Sequence, residues 1–411
     1  MRIAFVIPWY GENIKGGAEM ELREVSRHLQ QADVQVEILT TCAKSFDSNW
    51  NDNYYAAGTA MVYDVPVRRF PVRTRDVRTF DCINYRLMQG AAVTLNDEKL
   101  FLREMINSPA LYRYIQENHE SYDLFVFMPY MFGTTFFGVL SCPTEKAVML
   151  PCFHDESYAR MQIFRQTYIN IKAMIFNSRP ERVLANKMYD LQDVTQGVIG
   201  LGMDTTIKGD AEAFRRKFRI DKPFVLYAGR KDAGKNTDTL VKYFNEYRKR
   251  HPESETELVL IGGGDIELPK DAKAFVKDLG FVDAQDKYNA MAAAELLCQP
   301  SMNESFSIVI MESWLCGRPV LVHGRCPVTS DFVKRSQGGL YFSDYFEFEG
   351  CLNWMMDNPE KAAMLGKNGN GFVRENFDWN IITRKYIRFF KRLIEGRYYE
   401  KNCYCMPTVR H

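Results

Sequence analysis

The chain has 411 residues, 46% apolar and 26% charged, and its 53 basic residues against 52 acidic ones leave a net charge of +1. That balance removes any global electrostatic case for nucleic acid, and no run approaches the roughly 18 apolar residues of a membrane helix. The length exceeds what one hydrophobic core usually serves and implies two domains.

Met1–Tyr10 is apolar but meets Gly11-Glu12-Asn13 at once. It has no basic leader or small-residue cleavage site, so it reads as a strand and not a signal peptide. Short β-rich runs then alternate with helical patterns, the signature of parallel α/β layers. In the first half these runs are Ile3–Pro8, Val34–Thr40, Leu124–Met128, Ala147–Pro151, Ala173–Asn177 and Gly197–Gly200. Ala18–Leu29 reads as a helix with Met20, Val25 and Leu29 on its apolar side. Val67–Arg75 carries four arginines and reads as a strand with a solvated basic loop, contact with anionic lipid being the other reading. The segment from about Thr74 to Ser121 reads as an excursion of helices.

A boundary falls near Asp204, after Val198-Ile199-Gly200-Leu201-Gly202-Met203 and before a charged stretch. In the second half the runs are Phe224–Ala228, Leu258–Ile261, Ala274–Val276, Leu296–Gln299, Pro319–Val322 and Leu340–Phe342. Phe377–Glu395 is helical and amphipathic. The ten cysteines are scattered, and Cys152, Cys298 and Cys316 lie in apolar runs. That usage fits buried thiols in a reducing cytoplasm. Cys403 and Cys405 form a C-x-C pair without neighbouring ligands, and no metal is expected there.

Four constellations fall at strand-to-helix turns, where open parallel sheets bind ligands. Gly16-Gly17-Ala18-Glu19 opens a helix whose free N–H groups suit an anion; a plain turn fits equally. Phe153-His154-Asp155-Glu156 places three polar groups at a strand end, which suits a sugar-binding cleft or a helix cap by Asp155. Gly229-Arg230-Lys231-Asp232-Ala233-Gly234-Lys235 combines glycines with cations that suit phosphate oxygens. Pro300-Ser301-Met302-Asn303-Glu304-Ser305-Phe306-Ser307-Ile308 leads into a helix carrying Glu312, eight positions after Glu304. Capping would account for Glu304 but not for Glu312 inside an apolar helix.

Taken together, these segments resemble the retaining glycosyltransferases of family 4 ("group 1"), with the GT-B fold. The resemblance covers nearly the whole chain. Its most specific part is Glu304-x7-Glu312 followed by Cys316-Gly317-Arg318-Pro319-Val320. Gly229-Arg230 with Lys235 resembles the family's G-R-x4-K segment, and Gly200–Asp204 its interdomain turn, though without the usual Asn. Where the family often has E-G-F-G, this chain has Glu304-Ser305-Phe306-Ser307.

The resemblance implies an α/β chain of two facing Rossmann-like domains with a cleft between them. Residues 1–204 are expected to form the acceptor-side domain and 205–376 the nucleotide-sugar domain. Residues 377–400 are expected to form a helix crossing back, with 401–411 a tail. It implies that Arg230 and Lys235 contact the diphosphate, with Glu304 and His154 at the reacting centre. Glu312 takes the ribose, and Ser305, Phe306, Ser307, Ile308, Val282, Gly16 and Gly17 complete the donor site. Asp155 and Glu156 fall on the acceptor side. The expected activity is transfer of a hexosyl group from a UDP- or GDP-sugar to a saccharide or lipid-linked acceptor in glycoconjugate synthesis. No metal or other cofactor, no nucleic acid partner and a cytoplasmic location, with peripheral membrane contact in view, are expected. The rivals are a nucleotide-sugar epimerase of the same fold and a silent sugar-nucleotide-binding scaffold; a phosphorylase would need a pyridoxal site that the sequence lacks.

Overall fold

The computed structural model describes residues 1–14 and 16–396. The Cys403–Cys405 pair and the tail 401–411 lie outside the described residues. The chain divides into two compact units, one of Met1–Gly200 together with the chain from Ile382 on, the other of Leu201–Ile381.

The first unit is built on β1 (Arg2–Val6), β2 (Gln35–Thr41), β3 (Gly58–Val62), β4 (Val65–Phe70), β5 (Leu124–Phe127), β6 (Ala147–Met149), β7 (Ala173–Phe176) and β8 (Thr195–Val198). They form one 8-stranded sheet in the order β3-β4-β2-β1-β5-β6-β7-β8. All pairings are parallel except β3 with β4. β1, β5, β6 and β7 are buried almost throughout, as a parallel sheet covered on both faces requires. The expected strands are present with ends shifted by a few residues; β3, exposed over most of its length, was not expected. The helix after β1 runs Gly17–Gln31, and Val25 and Leu29 are buried while Met20 is exposed. The segment after β4 holds the helices Val77–Met88, Leu95–Glu104 and Pro109–Asn118. Each begins at a side-chain cap, from Asp76, Thr94 and Ser108, which satisfies a donor that the first turn leaves open.

The arginines of the 67–75 stretch have partners within the fold, although Arg68 and Arg73 stay about a third exposed. Arg68 Nε lies 2.9 Å from buried Glu37, which also accepts from Arg2 Nη2 at 2.8 Å and Tyr122 OH at 2.6 Å. Burial alone would raise the Glu37 pKa, but these three donors hold it below the usual carboxylate range. Arg69 is buried under the Tyr55 ring and donates to the Tyr10 carbonyl. Arg73 pairs with buried Glu104, and Arg75 lies over Trp50 and Phe80. Buried carboxylates require such partners, and the basic run supplies them.

The second unit is built on β9 (Phe224–Ala228), β10 (Glu257–Ile261), β11 (Val276–Asp278), β12 (Leu296–Gln299), β13 (Val320–His323) and β14 (Gly339–Phe342). They form a 6-stranded parallel sheet in the order β11-β10-β9-β12-β13-β14. The strand expected at Ala274–Val276 starts later, because Asp271–Ala274 makes a 3-10 turn. Near the unit's ends, Met203 N donates to the Phe377 carbonyl at 2.7 Å and Thr205 to Asp378 at 2.6 Å. The final helix, Trp379–Ile394, passes into the first unit at Ile382.

Helix Gly17–Gln31 and the turns after β6 and β7 enclose a buried acidic pair that the sequence did not disclose. Glu181 accepts from Phe153 N at 2.7 Å and Asn177 N at 2.6 Å. Glu21 receives only Asn177 Nδ2 at 3.3 Å and the Cys152 thiol at 3.9 Å, and its Oε1 has no partner. Burial, then the neighbouring Glu181 charge, pushes Glu21 up to about 8. Glu181 is raised too, but its two backbone donors favour the ionised form, so Glu21 holds the proton. Its folded pKa lies above the unfolded value, so the native state binds the extra proton and stability falls as pH rises from about 4.5 to about 8. Glu21→Gln is therefore expected to match wild type near pH 4.5 and to exceed it by roughly 1 kcal/mol or more near pH 8.5. Denaturant melts at the two pH values check this, and a pH-independent difference would contradict it.

Candidate functional site

Strand order locates the site. From β9 the second sheet grows one way through β10 and β11 and the other way through β12, β13 and β14. The loops leaving β9 and β12 therefore part at a topological switch point, the usual ligand position in an open parallel sheet. Residues Gly229–Asn236 follow β9, and Pro300–Ser307 follow β12.

The first loop is pinned by backbone contacts to its neighbour. Gly229 N donates to Ile261 O at 3.0 Å and Lys231 N to Gly263 O at 2.8 Å. Gly262 has φ +129, and a Cβ there would lie 2.0 Å from Gly229 O, so only glycine permits this approach. Asp232 caps the turn Ala233–Lys235 by accepting from Lys235 N at 2.9 Å. Arg230 is held at 2.9 Å from Asp232, its side chain 73% exposed. Lys235 Nζ reaches across to Glu304 Oε1 at 2.8 Å, and Gln299 Nε2 lies 3.4 Å from the same oxygen.

The second loop ends at Ser307, whose φ of +74 turns the chain into the helix Ile308–Leu315. No side chain caps that helix, so its first N–H groups remain available to an acceptor. Glu304 does not cap it; it serves Lys235. Phe306 sends its ring into the core against Phe332 and Phe377, which leaves its backbone, the part expected to meet the donor, as the part that can face a ligand. Ser305 and Ile308 are partly accessible, as is Val282 beyond β11.

Glu312 is buried on the same helix, and its Oε1 lies 2.5 Å from Lys287 Nζ. Burial and the Glu312 charge raise the Tyr288 phenol, and the same two causes push Cys316 up to about 12. Three polar atoms here are buried without partners: Glu312 Oε2, Ser307 Oγ and Gln299 Oε1. Orphaned buried acceptors and hydroxyls are costly unless a ligand or water satisfies them. Lys231, absent from the expected set, is buried and ion-paired with Asp278 at 2.6 Å. Lys287 carried no motif, and Lys231, though inside the Gly229–Lys235 constellation, was given no role of its own. Their legible signals were a cation in a helix first turn and a lysine inside a glycine-bounded loop.

In the first unit the same topological rule points to β1 and β5. Gly16 N-caps the helix Gly17–Gln31 with no side-chain bond, leaving its first donors open, and Gly17 is exposed. Glu19 accepts from the Trp9 indole. After β6, Cys152 adopts φ +56 and His154 follows, its Nδ1 3.9 Å from Glu156. Glu156 accepts from Tyr130 OH at 3.0 Å. Asp155 pairs with Arg160 and caps no helix. Among the described residues no group of three or more His, Cys, Asp or Glu side chains is placed to hold a metal. No described helix is long and apolar enough to cross a membrane.

Residues 210–372 match the family described as Glycosyl transferases group 1. A GDP-mannose-dependent monoacylated alpha-(1-6)-phosphatidylinositol monomannoside mannosyltransferase of Corynebacterium glutamicum is 28% identical over 193 residues, 43% of this chain and 49% of that protein. A D-inositol 3-phosphate glycosyltransferase of Kribbella flavida is 30% identical over 250 residues, 52% of this chain and 57% of that protein. The chain thus spans about half the length of the curated relatives it matches. Among solved structures, Anabaena HepE in complex with UDP superposes with TM-score 0.69 at 17% identity, over 95% of this chain and 100% of that one. Sucrose-phosphate synthase of Thermosynechococcus elongatus gives 0.67 at 16% identity, over 96% and 99%. The fold is the α/β, two-sheet GT-B fold, and the family resemblance is carried by residues 210–372.

Arg230 is exposed enough that Arg230→Ala should leave Tm within about 2 °C of wild type. UDP or GDP at saturating concentration is expected to raise the wild-type Tm and to raise that of the variant much less. An undiminished shift in the variant would remove Arg230 from the site.

Proposed function

We propose that the chain is a retaining, metal-independent glycosyltransferase that moves a hexosyl group from a UDP- or GDP-sugar to a saccharide or lipid-linked saccharide acceptor. The observation that carries this reading is the pairing of Lys235, from the loop after β9, with Glu304, from the loop after β12, with Arg230 on the first of these segments and Glu312 on the helix that follows the second, one carboxylate oxygen of Glu312 being buried and unmatched. The family match supports it. So do the similar proteins, which include a GDP-mannose-dependent mannosyltransferase and HepE, whose structures hold UDP and UDP-glucose.

In this reading Arg230 and Lys235 hold the diphosphate, and the open N–H groups at Ile308 face its oxygens. Glu312 Oε2 accepts a ribose hydroxyl. Glu304, with Ser305 and the Phe306–Ser307 backbone, holds the sugar, and Val282 borders the base. The anomeric carbon loses its bond to the phosphate oxygen and gains one to the acceptor oxygen on the same face. The acceptor proton passes to the departing phosphate. Charge grows on the diphosphate as that bond breaks, so fixed cations there stabilise the transition state more than the ground state. By resemblance His154 is assigned to the reacting centre, Gly16 and Gly17 to the donor site, and Asp155 and Glu156 to the acceptor side. The product belongs to glycoconjugate synthesis on the cytoplasmic side.

A thermal-shift panel of UDP-, GDP- and ADP-sugars identifies the donor. With that donor, Lys235→Ala is expected to lower kcat by about 10²-fold or more, and EDTA to leave the rate unchanged. NMR of the product should show the donor's anomeric configuration; inversion would refute front-side transfer. Conversion of the donor without acceptor would favour the epimerase.

A further inference from the structure

The contact between Lys287 and Glu312 has no part in a reading that gives the carboxylate alone to the ribose. Lys287 stands in the first turn of the helix Ala284–Ala293, behind the N-cap Asp283, where the helix dipole disfavours a cation. What holds it is Glu312 of the neighbouring helix, whose Oε1 lies 2.5 Å from Nζ, while the ring of Tyr288, the next residue on its own helix, has its centre 4.9 Å from Nζ. The lysine side chain is 27% exposed and the carboxylate 6%, so the ammonium is the more accessible member of the pair. The contact makes the carboxylate oxygens unequal. Oε1 is occupied, and Oε2 is buried without a partner. An ammonium has three donors and no acceptor, whereas a hydroxyl both donates and accepts.

We propose that Lys287 is a specificity-determining residue of the nucleoside site, acting with Glu312 so that two neighbouring ribose hydroxyls are read with opposite polarity. One hydroxyl donates to Glu312 Oε2, and the oxygen of the other accepts from the Lys287 ammonium. This rests on the assignment of Glu312 to the ribose. A carboxylate acting alone would take both hydroxyls as donors; the paired site requires one donor and one acceptor and penalises loss of either.

The test is calorimetric titration of the full chain with UDP, GDP and their 2′-deoxy and 3′-deoxy forms. Wild type is expected to bind each deoxy form about tenfold more weakly than its parent, since each deletion costs a charge-assisted hydrogen bond. In Lys287→Met one of the two penalties should shrink to within about twofold while the other persists, a coupling that a merely structural lysine would not produce. Both penalties persisting unchanged in Lys287→Met overturns the proposal. Lys287→Gln, which keeps the stem and loses the charge, carries the same comparison if the methionine variant does not fold. Glu312→Ala separates the layers: if it binds the parent nucleotides as wild type does, the ribose assignment falls and this proposal with it. If Glu312→Ala weakens binding while Lys287→Met keeps both penalties, only the role of Lys287 falls.

Discussion

Charges carried to the carboxyl edge of a parallel sheet have to be held there by opposite charges. In the second unit Lys235 is matched to Glu304, Lys287 to Glu312, Lys231 to Asp278 and Arg230 to Asp232. For the least exposed members, Lys231, Glu304 and Glu312, an uncompensated charge costs several kcal/mol, and pairing offsets that cost before any ligand arrives. The site is thereby organised in advance: loops are fixed by backbone contacts, and side chains by their counter-ions. A phosphate or a hydroxyl that enters exchanges one set of partners for another and meets groups already in position.

The first unit obeys the same rule for a different purpose. Glu37 and Glu104 are buried, and the arginines of the 67–75 stretch are consumed in neutralising them or in covering aromatic rings. A basic run in a sequence is usually read as a wet surface, because buried acids far away in the chain are invisible to local pattern. Here Glu37 is 31 positions from Arg68, and only the sheet brings them together.

What the sequence disclosed follows from this distinction. Alternating apolar runs revealed the parallel strands, because strands buried on both faces read as continuous Val, Ile and Leu. The loops after β9 and β12 were legible because glycine, cation and acid occur within single short segments. Edge strand β3 was not legible, since it buries almost nothing. Phe306 was expected to act through its backbone; that its ring joins a cluster with Phe332 and Phe377 from distant helices was not legible in the local sequence. Lys287, Lys231 and the Glu21–Glu181 pair were missed for the converse reason: each acquires its meaning from a partner in another helix or strand.

The return of the last helix has a further consequence. Phe389 packs against Gly197, Phe390 and Tyr386 are buried, and Lys172 reaches the Leu393 carbonyl. The first unit, made before the second, therefore waits for a helix made after the second to cover it. Its earlier helices and strands can pair as they emerge, but this face stays open to water, and to chaperones, until translation has passed through the whole of the second unit. Between these two units the order of synthesis and the order of completion are reversed.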